Sequence, residues 1–197
     1  MGSAERSLQT RNTLLDAAKS IFADIGYART SHADIAAEAD IGRTTFYEHF
    51  ASKEDLLVQL VERDLPALID EIVASVDPEL PPDVRLRELT TRFVEFIGTD
   101  QLGIILHTET PRLSLGAQAA IAATHRGLST EFTAIYRAGL GEGVFAELEP
   151  ALVGRLMQET MMTGGRVLMS FEDPKQQVHS VAEATASFLV NGLSSPS

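Results

Sequence analysis

The sequence predicts an all-α protein, and three observations carry that expectation. Apolar residues recur at steps of three and four through most of the 197 residues, the spacing that lines one face of a helix. Ser, Asp, Glu and Pro open many of these runs, and Gly or Pro closes them, as helix starts and stops require. No stretch alternates apolar and polar residues between turn signals, so nothing argues for a strand. About nine helices are expected.

Leu14, Ala18, Ile21, Phe22 and Ile25 share one face, which predicts an amphipathic helix from about Ser7 to Ile25, stopped by Gly26. Ser31 and Asp34 form a capping-box pattern, with Asp in place of the usual Glu, and open a short helix through Ala39. Asp40-Ile41-Gly42 reads as a tight turn, and a second short helix covers about Arg43 to His49. Ser52, with Asp55 three residues on, caps a long helix whose apolar stripe runs from Leu57 to Val76. Pro66 lies inside that helix and is expected to kink it.

Beyond Asp77-Pro78 and Pro81-Pro82, a helix places Leu86, Leu89, Phe93, Phe96 and Ile97 on one side. Thr110-Pro111 and the glycines at 139, 141 and 143 bracket a long helical stretch from roughly Leu113 to Ala138. Glu149-Pro150 opens a helix to about Ser170, and Asp173-Pro174 opens the last, to Gly192. Pro at the first helical position behind an acidic cap is a repeated device.

Composition narrows the function classes. There are 28 Asp and Glu against 16 Lys and Arg, a formal charge of −12, with no Cys and no Trp. The missing cysteines exclude disulfides, thiolate metal sites, iron–sulfur clusters and a thiol nucleophile. No apolar core follows a basic start, and no run approaches the roughly 18 apolar residues of a membrane span. A cytoplasmic protein without a membrane partner is expected. Length allows one domain, or a small one joined to a larger one. Three short helices give way to long ones near residues 50–55, which suggests domains at 1–52 and 53–197.

Two short helices about a tight turn are the layout of a DNA-reading helix-turn-helix. Ile35, Ala36 and Ala39 face inward, Ile41 plugs the turn, and Phe46 and Phe50 complete a small core with Phe22. The start of the second helix offers Arg43, Thr44 and Thr45, the place from which a recognition helix reaches base edges. Arg pairs bidentately with guanine, and a Thr methyl meets the thymine methyl. Tyr47, His49 and Lys53 can donate to phosphate oxygens and set the register.

This segment resembles the tetracycline-repressor (TetR) family of bacterial regulators. The resemblance runs from G-Y-x-x-T-S, through I-A-x-x-A, to T-F-Y-x-H-F-x-S-K-E-x-L, about 30 residues densely and about 50 with the preceding helix. Two positions depart from the pattern. Asp40 stands where Gly is usual, in a turn that favours positive φ, which Asp tolerates better than most residues. Gly42 stands where a Ser or Thr cap is common, and is a weaker cap. The resemblance implies that Arg43, Thr44 and Thr45 face bases, and that Ser31, His32, Tyr47, His49 and Lys53 face phosphates.

It further implies that the remaining helices form an effector-binding and dimerisation domain. Small residues (Gly164, Gly165, Ala182, Ala184 and Ala186) in the last two helices suit close packing, against a symmetry mate or within one chain. A two-fold dimer would set two recognition helices one DNA turn apart, ~34–36 Å. Phe93, Phe96, Ile97, His107, Phe132, Tyr136, Met157 and Met161 are candidates to line an apolar effector pocket between helices.

No catalytic residue, metal ligand or cofactor is expected. Glu-x-x-His, G-x-x-x-x-G-K-[ST], G-x-S-x-G and H-E-x-x-H are all missing. The expected function is a homodimeric transcriptional regulator that binds a double-stranded DNA operator. It would be a repressor released by a small, largely apolar molecule. The alternative is an all-α ligand-binding or catalytic protein whose helix-turn-helix is vestigial. Residues 1–50 carry five Lys and Arg against seven Asp and Glu, a net of −2, which leaves −10 for the rest. A reader with so few cations predicts a shallow salt dependence.

Overall fold

In the computed structural model, residues 2–195 are described. Ten α-helices follow one another: α1 (Ser3–Ile25), α2 (His32–Glu38), α3 (Arg43–His49), α4 (Lys53–Ala74), α5 (Pro82–Thr99), α6 (Gln101–Glu109), α7 (Leu115–Thr124), α8 (Arg126–Gly141), α9 (Pro150–Leu168) and α10 (Pro174–Leu193). A 3₁₀ turn, Thr110–Arg112, joins α6 to α7. The fold is all-α. Among the described residues the sole strand-like feature is an isolated antiparallel bridge between Phe145 and Ser194.

The chain divides into two compact units. Unit 1 takes the residues up to Asp64 together with Glu109–Ile121, and unit 2 takes Leu65–Thr108 with the chain from Ala122 onward.

Unit 1 is built around Leu14, Phe22, Ile35, Phe46, Phe50 and Leu60, all essentially excluded from solvent. Its turns are set by positive-φ residues and by capping side chains. Gly26 takes φ 85° after α1, and the Ser31 hydroxyl accepts the Asp34 N–H at 3.2 Å while Asp34 accepts the Ser31 N–H at 2.7 Å. Asp40 takes φ 53°, which reverses the chain so that the Ile41 N–H reaches the Ala36 carbonyl at 2.9 Å. Ser52 accepts the Asp55 N–H, and Asp55 accepts the Ala51 N–H, at the head of α4. Glu54 holds Ser114 through its hydroxyl at 2.5 Å and its N–H at 3.0 Å, which fastens the start of α7 to α4. Asp64 draws both Arg63 and Lys19. Burial alone would raise its pKa, but the two cations outweigh that and hold the carboxyl below its usual value.

Unit 2 packs α5 against α8, α9 and α10. Phe93, Ile97, Phe132, Met157 and Met161 lie in its interior. Side chains pack directly onto glycines: a Cβ on Gly139 would collide with the Phe145 ring, and one on Gly164 would stand 2.6 Å from the Thr185 hydroxyl. That placement accounts for four of the five small residues in the last two helices. Gly164 meets α10 of its own chain, Gly165 meets His107, and Ala182 and Ala186 are fully buried. These four pack within the chain, whereas Ala184 is exposed.

Three expectations about elements need correction. The stretch from Leu113 to Ala138 is two helices, broken at His125, whose N–H bonds back to Ala122. Buried Ala117, Ile121, His125, Leu128 and Phe132 keep helical spacing across the break, so periodicity hides it. The glycines at 139 and 141 belong to α8, and Gly143, at φ 72°, makes the turn. The acidic device holds for Glu149, which accepts from the Ala151 and Leu152 N–H groups. It fails at Asp173, whose carboxylate accepts from the Gln176 side chain and bonds no backbone N–H at the helix start.

Candidate nucleic-acid interface

Helix α3 begins with Gly42 as its N-cap and buries Phe46 against Phe50 and His32. With that residue anchored, Arg43 and Thr44 stand exposed at the start of the helix, Thr45 is half-buried, and Tyr47 is 48% exposed. The Thr45 N–H bonds to the Gly42 carbonyl at 2.9 Å, so the first turn is already closed. An exposed, closed first turn bearing Arg and Thr is the geometry that presents hydrogen-bond donors and methyls to base edges.

The residues expected to face phosphate are more heavily engaged. The Ser31 hydroxyl accepts from Asp34 and keeps its own proton to donate. Lys53 gives two protons to the Tyr27 and Thr30 carbonyls, each at 2.7 Å, and lies 4.2 Å over the Tyr27 ring. Burial lowers its pKa, partly offset by Glu109. The third proton remains. Tyr27 itself is pushed up to about 12 by burial, with Glu54 and Glu109 adding to the effect. His49 is half-buried beside Phe50. His32 has both ring nitrogens engaged: Nε2 accepts the Lys53 backbone N–H at 2.9 Å, and Nδ1 lies 3.3 Å from the Tyr47 hydroxyl. Reading by residue type showed none of the Lys53 and His32 bonds, because each partner lies 15 to 26 residues away.

The effector candidates fall in unit 2 with varied roles. Phe93, Ile97, Phe132, Met157 and Met161 are buried, and Phe96 is half-buried beside Phe93 at 5.8 Å. Tyr136 is fully buried. Its hydroxyl donates toward the Ala146 and Leu148 carbonyls and accepts the Leu148 N–H at 2.7 Å. It pins the loop after α8 and stacks on Phe145. His107 lies beside the Gly103 carbonyl at 3.1 Å, and burial lowers its pKa to about 4. A cavity of about 10 Å³ is lined by Val73, Val76, Arg85, Leu89, Glu131 and Ile135, none of them an effector candidate. It is sized for one water molecule. Among the described residues no three His, Asp or Glu side chains converge on a metal-sized site.

Residues 14–60 match the family model of the bacterial regulatory proteins, tetR family. They span the second half of α1, the capped α2, the Asp40 turn, α3 and the head of α4. Residues 14–60 thus carry a TetR-family helix-turn-helix segment. The chain is a helix-turn-helix transcriptional regulator. Likeness to known TetR-type proteins extends along the chain. It is 26% identical over 191 residues to the transcriptional repressor KstR2 of Rhodococcus jostii, covering 94% of this chain and 92% of that one. A TetR-family regulator from Pectobacterium atrosepticum has a TM-score of 0.80 at 24% identity, covering 100% of this chain and 99% of the other. The FadR regulator of Bacillus subtilis, solved with stearoyl-CoA, has a TM-score of 0.74 at 21% identity, covering 92% and 98%. No helix among the described residues is long and apolar enough to cross a membrane.

Proposed function

We propose that this protein is a cytoplasmic, homodimeric repressor of the TetR family without catalytic activity. In this reading residues 1–52 form the reader, and residues 53–197 bind a small, largely apolar effector and dimerise. The observation that carries the reader assignment is the exposed first turn of α3, with Arg43 and Thr44 outward and Phe46 anchored beneath. Arg43, Thr44 and Thr45 meet bases, while Ser31, Tyr47, His49 and the remaining Lys53 proton meet phosphates.

Support for dimerisation comes from large apolar side chains left outside. Leu152 and Leu156 on α9 are each 54% exposed, one turn apart on the same face, and Phe188 on α10 is 70% exposed. Apolar residues aligned this way favour burial against a second copy. Support for an effector comes from the buried Phe93, Phe132, Met157 and Met161, and from the acyl-CoA held by the FadR relative. For release to follow, the effector must bind two conformers with different affinity.

The test begins with selection of duplexes bound by the full chain, followed by gel shift at graded salt. Arg43→Ala should relax preference at one position of each half-site and cost about 1–3 kcal/mol in operator binding. A selection that enriches no duplex, or a variant with unchanged preference, overturns the assignment.

A further inference from the structure

His32 joins three elements of the reading head. It is the first residue of α2, its ring packs on Phe46 of α3 at 4.9 Å, and it reaches the first residue of α4. Nε2 accepts the Lys53 backbone N–H, an otherwise orphaned donor at the head of α4. A ring nitrogen that accepts carries no proton, so in the neutral ring the proton sits on Nδ1. Nδ1–H then donates to the Tyr47 oxygen, 3.3 Å away. With its oxygen accepting inward, the Tyr47 phenol has its own proton free to point outward, and the ring is 48% exposed.

We propose that His32 is a positioning residue of the reader: its neutral Nδ1–H tautomer ties α2 to α4 and aims the Tyr47 hydroxyl proton at a DNA phosphate. This rests on the reading of α3 as the DNA-facing helix. It also gives His32 a different role from the one its sequence position suggested, since neither nitrogen has a proton left for a phosphate.

The two roles predict opposite responses to acid. A His32 that touched phosphate directly would bind DNA more tightly once protonated. A positioning His32 loses its acceptor on protonation, so the Lys53 N–H loses its partner. The groups that face the ring are Arg43 and Tyr47 from α3 and Lys53 from α4, while Asp34 on its own helix is bonded to Ser31. Burial first, then Lys53 and Arg43, hold the pKa of His32 below its ordinary 6.5. The sign follows: the contribution is complete above pH 6.5 and is lost as pH falls through the lowered folded value.

The experiment uses the full chain and a duplex selected from random DNA about three helical turns long. Operator affinity is followed by fluorescence anisotropy across neutral and acidic pH for the wild type, His32→Gln and His32→Val. Ring ¹⁵N shifts of His32 are read without DNA. The expected result is an Nδ1–H tautomer with Nε2 unprotonated, and a wild-type affinity that falls with acid relative to His32→Gln. Gln keeps an acceptor for the Lys53 N–H and has nothing to titrate. His32→Val should bind roughly five- to tenfold more weakly at neutral pH, the loss of about one hydrogen bond.

An Nε2–H tautomer, a wild-type affinity that rises with acid relative to His32→Gln, or a His32→Val affinity equal to wild type would overturn the proposal. If His32→Val fails to fold, the tautomer and the difference between wild type and Gln decide. Failure to select any duplex sinks the regulator reading instead, and the tautomer still reports on the tie between α2 and α4.

Discussion

The two compact units use their polar groups in different ways. In unit 1 polar side chains bond backbone before α2, at the head of α4 and between them: Ser31 with Asp34, Ser52 with Asp55, and Lys53 with the Tyr27 and Thr30 carbonyls. In unit 2 helices meet through glycines at 98, 154, 164 and 165, and the Thr90 hydroxyl is buried without a hydrogen-bond partner. A reader must hold Arg43 and Tyr47 in fixed directions, and directional bonds do that. A packed interior tolerates exchange of one apolar side chain for another more readily. The family match at residues 14–60 falls within the unit built on directional bonds.

Three substitutions and a salt titration would break or sharpen that contrast. Phe46→Ala should have the largest effect, about 3–5 kcal/mol of stability. Hydrogen exchange should then show α1–α3 unprotected while α5, α9 and α10 stay protected; equal loss in both units would end the distinction. Tyr136→Phe should cost about 1–3 kcal/mol in denaturant unfolding by leaving the Leu148 N–H without its acceptor. Operator affinity below the transition should be unchanged. Ser31→Ala should cost about 0.5–2 kcal/mol by removing the α2 cap, with a loss of operator affinity that Tyr136→Phe does not show. The smallest effect concerns salt. Lys19 and Arg63 already pair with Asp64, and Arg11 bonds Gln59. Few phosphate contacts should therefore remain, and the logarithmic salt slope of operator binding should fall well short of about −10. A slope of that size would mean that the cations leave their internal partners.

The reader was legible because its instructions are local. Gly26, the Ser31–Asp34 pair, Asp40 at positive φ and the Ser52–Asp55 pair each act within four residues, and each does in the structure what its spacing predicts. The helical character of unit 2 was legible for the same reason. Its packing was not. The break at His125 lies within an unbroken apolar stripe, and Gly139 matters only because Phe145 turns back onto it. Tyr136 looked like a pocket residue because its aromatic ring was visible in the sequence and its backbone partners at 146 and 148 were not. At His32 residue type suggested the right neighbourhood, yet the ring bonds to Tyr47 and Lys53 come from folding the segment back on itself.

The discontinuity of unit 1 bears on how such proteins can be recombined. Leu113, Ala117 and Ile121 are buried, and Ser114 is held by Glu54, although this stretch lies some fifty residues beyond the rest of the unit. A chimera made by joining a foreign N-terminal segment at a single cut would keep the local 109–121 piece beneath it. The seam of such a graft would run through the unit being exchanged. A transplant that carries 109–121 along with its own residues up to Asp64 would move that unit whole.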